Sequence, residues 1–139
     1  MKIFVFIIFF LVTQCLNVFC HSISDDQKNL PFEYKVIISD KIEGSITKEE
    51  IIKAKTLLLD KDAPSIYYIK SFKMTLVCKG SDILEFENSN SGELSPPMVE
   101  SIKNAKAGCK LYFEFIRIEN NKNHLVSEKF VPALSFVLK

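Results

Sequence analysis

Residues 95–118 carry a helix start, a helix stop and a strand in immediate succession. Ser95 offers a hydroxyl that can accept a bond from an orphan amide of a first turn. Pro96 then takes the first helical position, where its missing N–H removes nothing. Leu94 and Val99 stand at the spacing of a hydrophobic staple across that cap. Val99, Ile102 and Lys106 share one face, flanked by Met98 and Ala105, which predicts a helix over 96–106 packed on a sheet. Lys103 and Lys106 suit the negative end of the macrodipole, and Gly108 is placed to close the helix in the left-handed conformation. Residues 111–118 are aromatic and branched, hence a strand with at least one buried face. The stretch specifies a shape and contains no catalytic grouping.

A second helix announces itself upstream. Thr47 and Glu50 form a capping box, with Ile46 and Ile51 as the staple around it, predicting a short helix over 48–55. Residues 56–60 either extend that helix or pass into a strand; periodicity leaves both open. Before it, residues 32–38 suit a first strand and residues 39–44 have turn chemistry. After the Asp60–Ser65 break, the chain alternates through residues 66–79. Phe72, Met74, Leu76 and Cys78 fall on one face, and Ser71, Lys73 and Thr75 on the other. Lys79 and Gly80 make a turn into residues 83–87, the second strand of a hairpin. Residues 88–93 are a polar loop, residues 119–123 a hairpin tip, and residues 134–138 a closing strand after Pro132. No repeat or linker divides this chain, so a single domain over 32–139 is expected. Its predicted class is mainly β: an antiparallel β-sandwich-like domain with two short helices near 48–55 and 96–106.

The N-terminus reads differently. Lys2 precedes an unbroken apolar run over residues 3–12, which Thr13, Gln14 and Asn17 interrupt before a spanning length of ~20 residues is reached. Residues 1–20 are therefore expected to be a cleaved signal peptide, with 21–31 a flexible leader. A retained anchor and lipidation at Cys20 are the alternatives. The protein is expected to be periplasmic or secreted, with no membrane span after cleavage. Lys2 is one of 18 basic residues against 17 acidic ones, so the processed chain is electrically balanced. Such a balance gives no basic stripe for nucleic acid.

Cysteine usage follows from the leader. Cys15 and Cys20 leave with it, so Cys78 and Cys109 remain as one pair in an oxidising compartment. The strand ending at Cys78 runs toward the Lys79–Gly80 turn. The next strand runs back, the capped helix climbs again, and Cys109 opens the descending strand. Both thiols are thus expected at one end of the domain, either bridged or as two small buried apolar residues. Without a C-x-x-C spacing, and with His21 and His124 the only histidines, no metal site is expected.

Candidate reactive groups have simpler explanations. His124 lies in a polar turn and is expected to be solvated. Glu49 and Glu50 complement a helix N-terminus, and Glu85 and Glu87 alternate with Leu84 and Phe86 as the wet side of a strand. Lys79–Gly80 lacks the further glycines and following helix of a phosphate loop. Tyr67, Tyr68 and the aromatics of 112–115 are expected mostly in the core, a few forming a binding face. No catalytic residue and no cofactor is predicted.

The ordered set of elements resembles the C-terminal periplasmic domain of GldM, a protein of gliding motility and type IX secretion. The resemblance runs through residues 44–50, 69–72, Lys79–Gly80, 94–98, 107–114 and 134–139, and spans residues 33–139. Where the family commonly has an acidic residue after the helix-ending glycine, this chain has Cys109. The resemblance implies a non-enzymatic protein-interaction module whose partner is an envelope or secretion-apparatus protein. The alternative is an independent secreted β-domain, an inhibitor or a peptide- or carbohydrate-binding module sharing the fold.

Overall fold

A computed structural model describes residues 35–124, 126 and 131–139. The expected signal peptide, the leader and the start of the first predicted strand lie outside the described residues. Seven strands and two helices follow in the order β1 (Val36–Ile37), β2 (Glu43–Ile46), α1 (Lys48–Ala54), β3 (Leu58–Leu59), β4 (Tyr67–Val77), β5 (Leu84–Asn88), α2 (Pro96–Asn104), β6 (Lys110–Asn120) and β7 (Leu134–Leu138). The domain is mainly β and sandwich-like. A five-stranded sheet of order β2-β7-β6-β4-β5 and a two-stranded sheet β1-β3 share one core with the two helices.

Alternation decides which face of the large sheet is dry. Phe72, Met74 and Leu76 of β4, Leu111 and Phe113 of β6, and Leu134, Phe136 and Leu138 of β7 are all buried. They join Ile51 of α1 and Met98 and Ile102 of α2 in one core. The opposite face carries Lys73, Thr75, Glu85, Glu87, Tyr112 and Glu114, so amphipathic strands of period 2 meet helices on one side only. Phe72, Leu76, Ile102, Leu111, Phe113 and Phe136 are thus buried together, as expected.

Two compensating irregularities keep this facing through the long β4–β6 pair. Register advances Lys73↔Glu114, Ser71↔Arg117, Ile69↔Ile118, so each strand contributes one extra residue at a different step. On β6 the extra residue puts Phe115 at φ 51° and turns its ring outward. On β4 it is at Lys70. A single bulge would flip every later side chain to the wrong face; a pair of them restores it.

Both helices form where predicted, but their ends differ. Around α1 the capping box is complete: Glu50 N–H donates to Thr47 Oγ1 at 3.1 Å, and Thr47 N–H to Glu50 Oε2 at 2.7 Å, a motif contributing about 1 kcal/mol. Lys55, at φ 61°, ends α1. Residues 56–60 are therefore not helix; Thr56 bridges Glu93, and β3 follows. Ser95 has the extended backbone of an N-cap, yet its side chain makes no capping bond to α2. Pro97, at the second helical position, removes one of the two amides an N-cap hydroxyl serves, and the Met98 N–H at the third is not engaged by it either. The buried stripe of α2 is Met98, Ile102 and Ala105, at i, i+4 and i+7, with Val99 half-buried and Lys106 exposed. The expected stripe was rotated by one residue toward a lysine.

Gly108 does not close α2. The helix stops at Asn104, and Lys48 Nζ reaches across from α1 to donate to the carbonyls of Lys103 at 3.0 Å and Ala105 at 3.1 Å. A cation at a helix C-terminus satisfies the same orphan carbonyls that a left-handed glycine would. Gly108, at φ 87°, instead turns the chain into β6, its N–H donating to Leu138 O.

The large sheet is mainly antiparallel, as expected, with one parallel pair, β2 to β7, through Glu43↔Ser135 to Ile46↔Leu138. Two further expectations are corrected. Glu43 and Gly44, read as turn residues, belong to β2. Glu119 and Asn120, read as a hairpin tip, are the last residues of β6, and Glu119 is buried.

Candidate functional site

The edge of the large sheet at β5 is where the fold leaves a surface open. β5 is the last strand in the sheet, paired with β4 alone among the described residues. Its core-side residues Leu84 and Phe86 stand opposite Leu76 and Met74. Leu84 is 43% exposed and the preceding Ile83 60%, a high value for side chains of this size at the rim of a core. Beside this edge runs a groove of ≈ 470 Å³ between the β4–β5 hairpin and α2. Its apolar floor includes Leu76, Leu84 and Ala105, and Asp82, Glu100 and Lys106 stand at its margins.

A disulfide holds one wall of that groove. Cys78 and Cys109 are bridged, with Cα atoms 4.4 Å apart. Val77 and Lys110, their neighbours, are partners across β4 and β6. Cys78 lines the groove and Cys109 is buried. The two thiols therefore do lie at one end of the domain, and of the two readings left open the bridge is the one seen.

On the solvent side of the same strands the charge is uneven. Lys73 Nζ pairs with Glu85 at 2.8 Å and lies 5.9 Å from the centroid of the exposed Phe115 ring. The hydrogen bond from Lys73 to Glu85 holds the lysine pKa above its ordinary value, with Glu114 and Glu87 adding their attraction. Glu114 in turn accepts from the Thr75 hydroxyl at 3.1 Å. One ammonium thus stands among three carboxylates.

A second polar cluster lies at the far end of β4 and β6. Tyr68 and Glu119 are register partners, and the β4 bulge brings Lys70 to the same carboxylate. Lys70 Nζ sits 3.0 Å from Glu119 Oε2, and His124 Nδ1 2.9 Å from Oε1. Hydrogen bonds from Tyr68, His124 and Lys70 hold the Glu119 pKa down to about 2, against burial that would raise it. The same contacts raise the pKa of Tyr68 and of Lys70. A carboxylate so acidic is a poor proton acceptor at neutral pH; its role is to tie the hairpin end together. Glu50 is similarly lowered to about 2, first by the hydrogen bond from Lys41 and then by the Thr47 amide.

Acid should therefore loosen the fold. Both carboxylates have native pKa values below their ordinary 4.5, so the unfolded chain binds more protons than the native one. Their stabilisation is present above pH 4.5 and is lost as pH falls toward about 2. Urea midpoints measured down this range should fall, and Glu119→Gln should flatten part of the slope. A midpoint independent of pH would contradict the clustering at Glu119.

The remaining sequence candidates fall apart in space. His124 is exposed, as expected, but paired with Glu119. Glu49 and Glu50 sit in the first turn of α1, and Glu85 and Glu87 project from the wet side of β5. Tyr67, Tyr68 and Tyr112 are half-buried, and Phe115 is outside the core. Among the described residues no group of three or more His, Cys, Asp or Glu could hold a metal. No helix among them is long and apolar enough to cross a membrane. The groove itself was missed, because it depends on α2 lying beside the β5 edge; only the unmatched pair Ile83 and Leu84 hinted at it. No family model and no curated protein matches this chain.

Proposed function

We propose that the protein is an exported, non-enzymatic protein-interaction module akin to the tip domain of the gliding and type IX secretion apparatus, and that it binds an envelope protein. The observation that carries this reading is the edge of β5, unpaired on its outer side among the described residues and beside an apolar groove, one wall of which a disulfide fixes. Proteins add an extended segment to such edges, main-chain bonds giving affinity and neighbouring pockets selectivity. The resemblance over residues 33–139 supports the kind of partner. The bridge supports a periplasmic or extracellular location, since disulfides persist in oxidising compartments. A non-enzymatic role is supported by the carboxylates at Glu50, Glu85 and Glu119, each engaged in a structural pair.

The alternative, an independent secreted β-domain that inhibits or binds a peptide or carbohydrate, draws on the exposed Phe115 ring of the open sheet face. Affinity purification of the tagged, oxidised protein from the envelope of its own cells separates the two. Recovery of a secretion-apparatus or other envelope protein supports the first reading. Recovery of none, together with retention on a glycan array lost in Phe115→Ala, supports the second.

A further inference from the structure

We propose that the β5 edge docks an extended segment of a partner protein in which apolar residues alternate with lysine or arginine. This deepens the reading above and rests on it. A strand added beside β5 presents successive side chains to opposite faces of the sheet. On one face they lie beside Leu84 and Phe86 and enter the groove along α2, whose floor is apolar. On the other they lie beside Glu85 and Glu87, where one lysine stands among three carboxylates. Cross-strand neighbours of opposite charge attract and like charges repel. The edge therefore selects apolar residues at one parity and basic residues at the other.

Other occupants fit worse. A second copy pairing through β5 about Phe86 would set Glu85 against Glu87 of that copy, and an in-register parallel pair would set each glutamate beside itself. The opposite sheet edge, β2, is only Glu43–Ile46, and Gly44 at φ 98° breaks its extended backbone. A nucleic acid is repelled by the same carboxylates.

The test uses the full, oxidised chain labelled with nitrogen-15 and titrated with a blocked peptide of four Val-Lys repeats. Amide shifts are expected at β5 and at Ser101 and Ala105 across the groove. Methylating alternate peptide nitrogens should abolish binding. The double variant Glu85→Lys/Glu87→Lys should weaken binding roughly tenfold or more and should instead take up a peptide of four Val-Glu repeats, which the natural protein refuses. That swap shows the variant is folded. Shifts centred elsewhere, equal binding of both peptides, or no effect of the double variant would overturn the proposal. The same variant used as bait keeps the two readings apart. An envelope partner retained by the variant sinks the edge site but leaves the interaction module standing. Peptide binding at β5 with no envelope partner for either bait leaves the edge site and removes the module's proposed role.

Discussion

Replacing Phe113 by Ala is expected to remove about 3–5 kcal/mol of stability, the largest loss from any single core truncation here. Phe113 is fully buried at the middle of β6. Its ring meets Phe72 of β4 edge-on at 5.9 Å and Phe136 of β7 at 6.4 Å. The three strands that form the centre of the sheet are thus joined by one side chain. Its removal forfeits the transfer energy of the ring, leaves a cavity that backbone hydrogen bonding keeps from collapsing, and breaks two aromatic pairs of ~0.5–1.5 kcal/mol each. Equilibrium unfolding in urea measures the loss. Phe115→Ala, two residues along, is the control. That ring is 53% exposed and its loss should change stability by less than ~1 kcal/mol. A loss below ~1 kcal/mol at Phe113 itself would mean that the facing of β6 is wrong.

Opening the Cys78–Cys109 bridge should cost roughly 3 kcal/mol. The two residues are separated by 31 positions, and the closed segment contains the β5 hairpin and α2. In the unfolded chain the bridge restricts that segment, and its stabilisation arises mainly there. The native β4–β6 pairing already holds the two backbones adjacent, so the fold should survive reduction in a weakened form. The expected result is a lower urea midpoint under dithiothreitol, reproduced without reductant by Cys78→Ser/Cys109→Ser, which itself no longer responds to reductant. Two free thiols titrated in the native protein would exclude the bridge. Because Cys78 lines the groove, reduction should also loosen whatever the groove holds.

What could be read from residue order was what local chemistry decides. Thr47 and Glu50 bond to each other's backbone, so α1 begins where the capping box says. Leu134, Phe136 and Leu138 alternate cleanly, and β7 has the predicted bounds. What could not be read depends on partners distant in sequence. The end of α2 is satisfied by Lys48, from another helix, which no signal near Gly108 could announce. The β4 and β6 bulges compensate each other, and neither is visible in its own strand. β2 has no alternation of its own and acquires its place only by pairing with β7. Glu119 sits in an Asn- and Lys-rich run that reads as a turn; it is buried because Tyr68, Lys70 and His124 converge on it. The β5 groove is of this second kind, made by the placement of α2 rather than by a motif.

The position of β7 sets an order in time. It lies inside the sheet, with β6 on one side and β2 on the other, and among the described residues β2 pairs with nothing else in that sheet. The earliest strand of the large sheet therefore waits for the latest. Until residues 134–138 have been made, β2 lacks its neighbour in the sheet, Ile46 lacks Leu138 opposite it, and Phe113 has Phe72 but not Phe136 beside it. A chain threaded from its N-terminus through a narrow channel would thus leave β2 unpaired in that sheet until residues 134–138 had emerged. A product cut short before Leu134 would be left open to proteolysis.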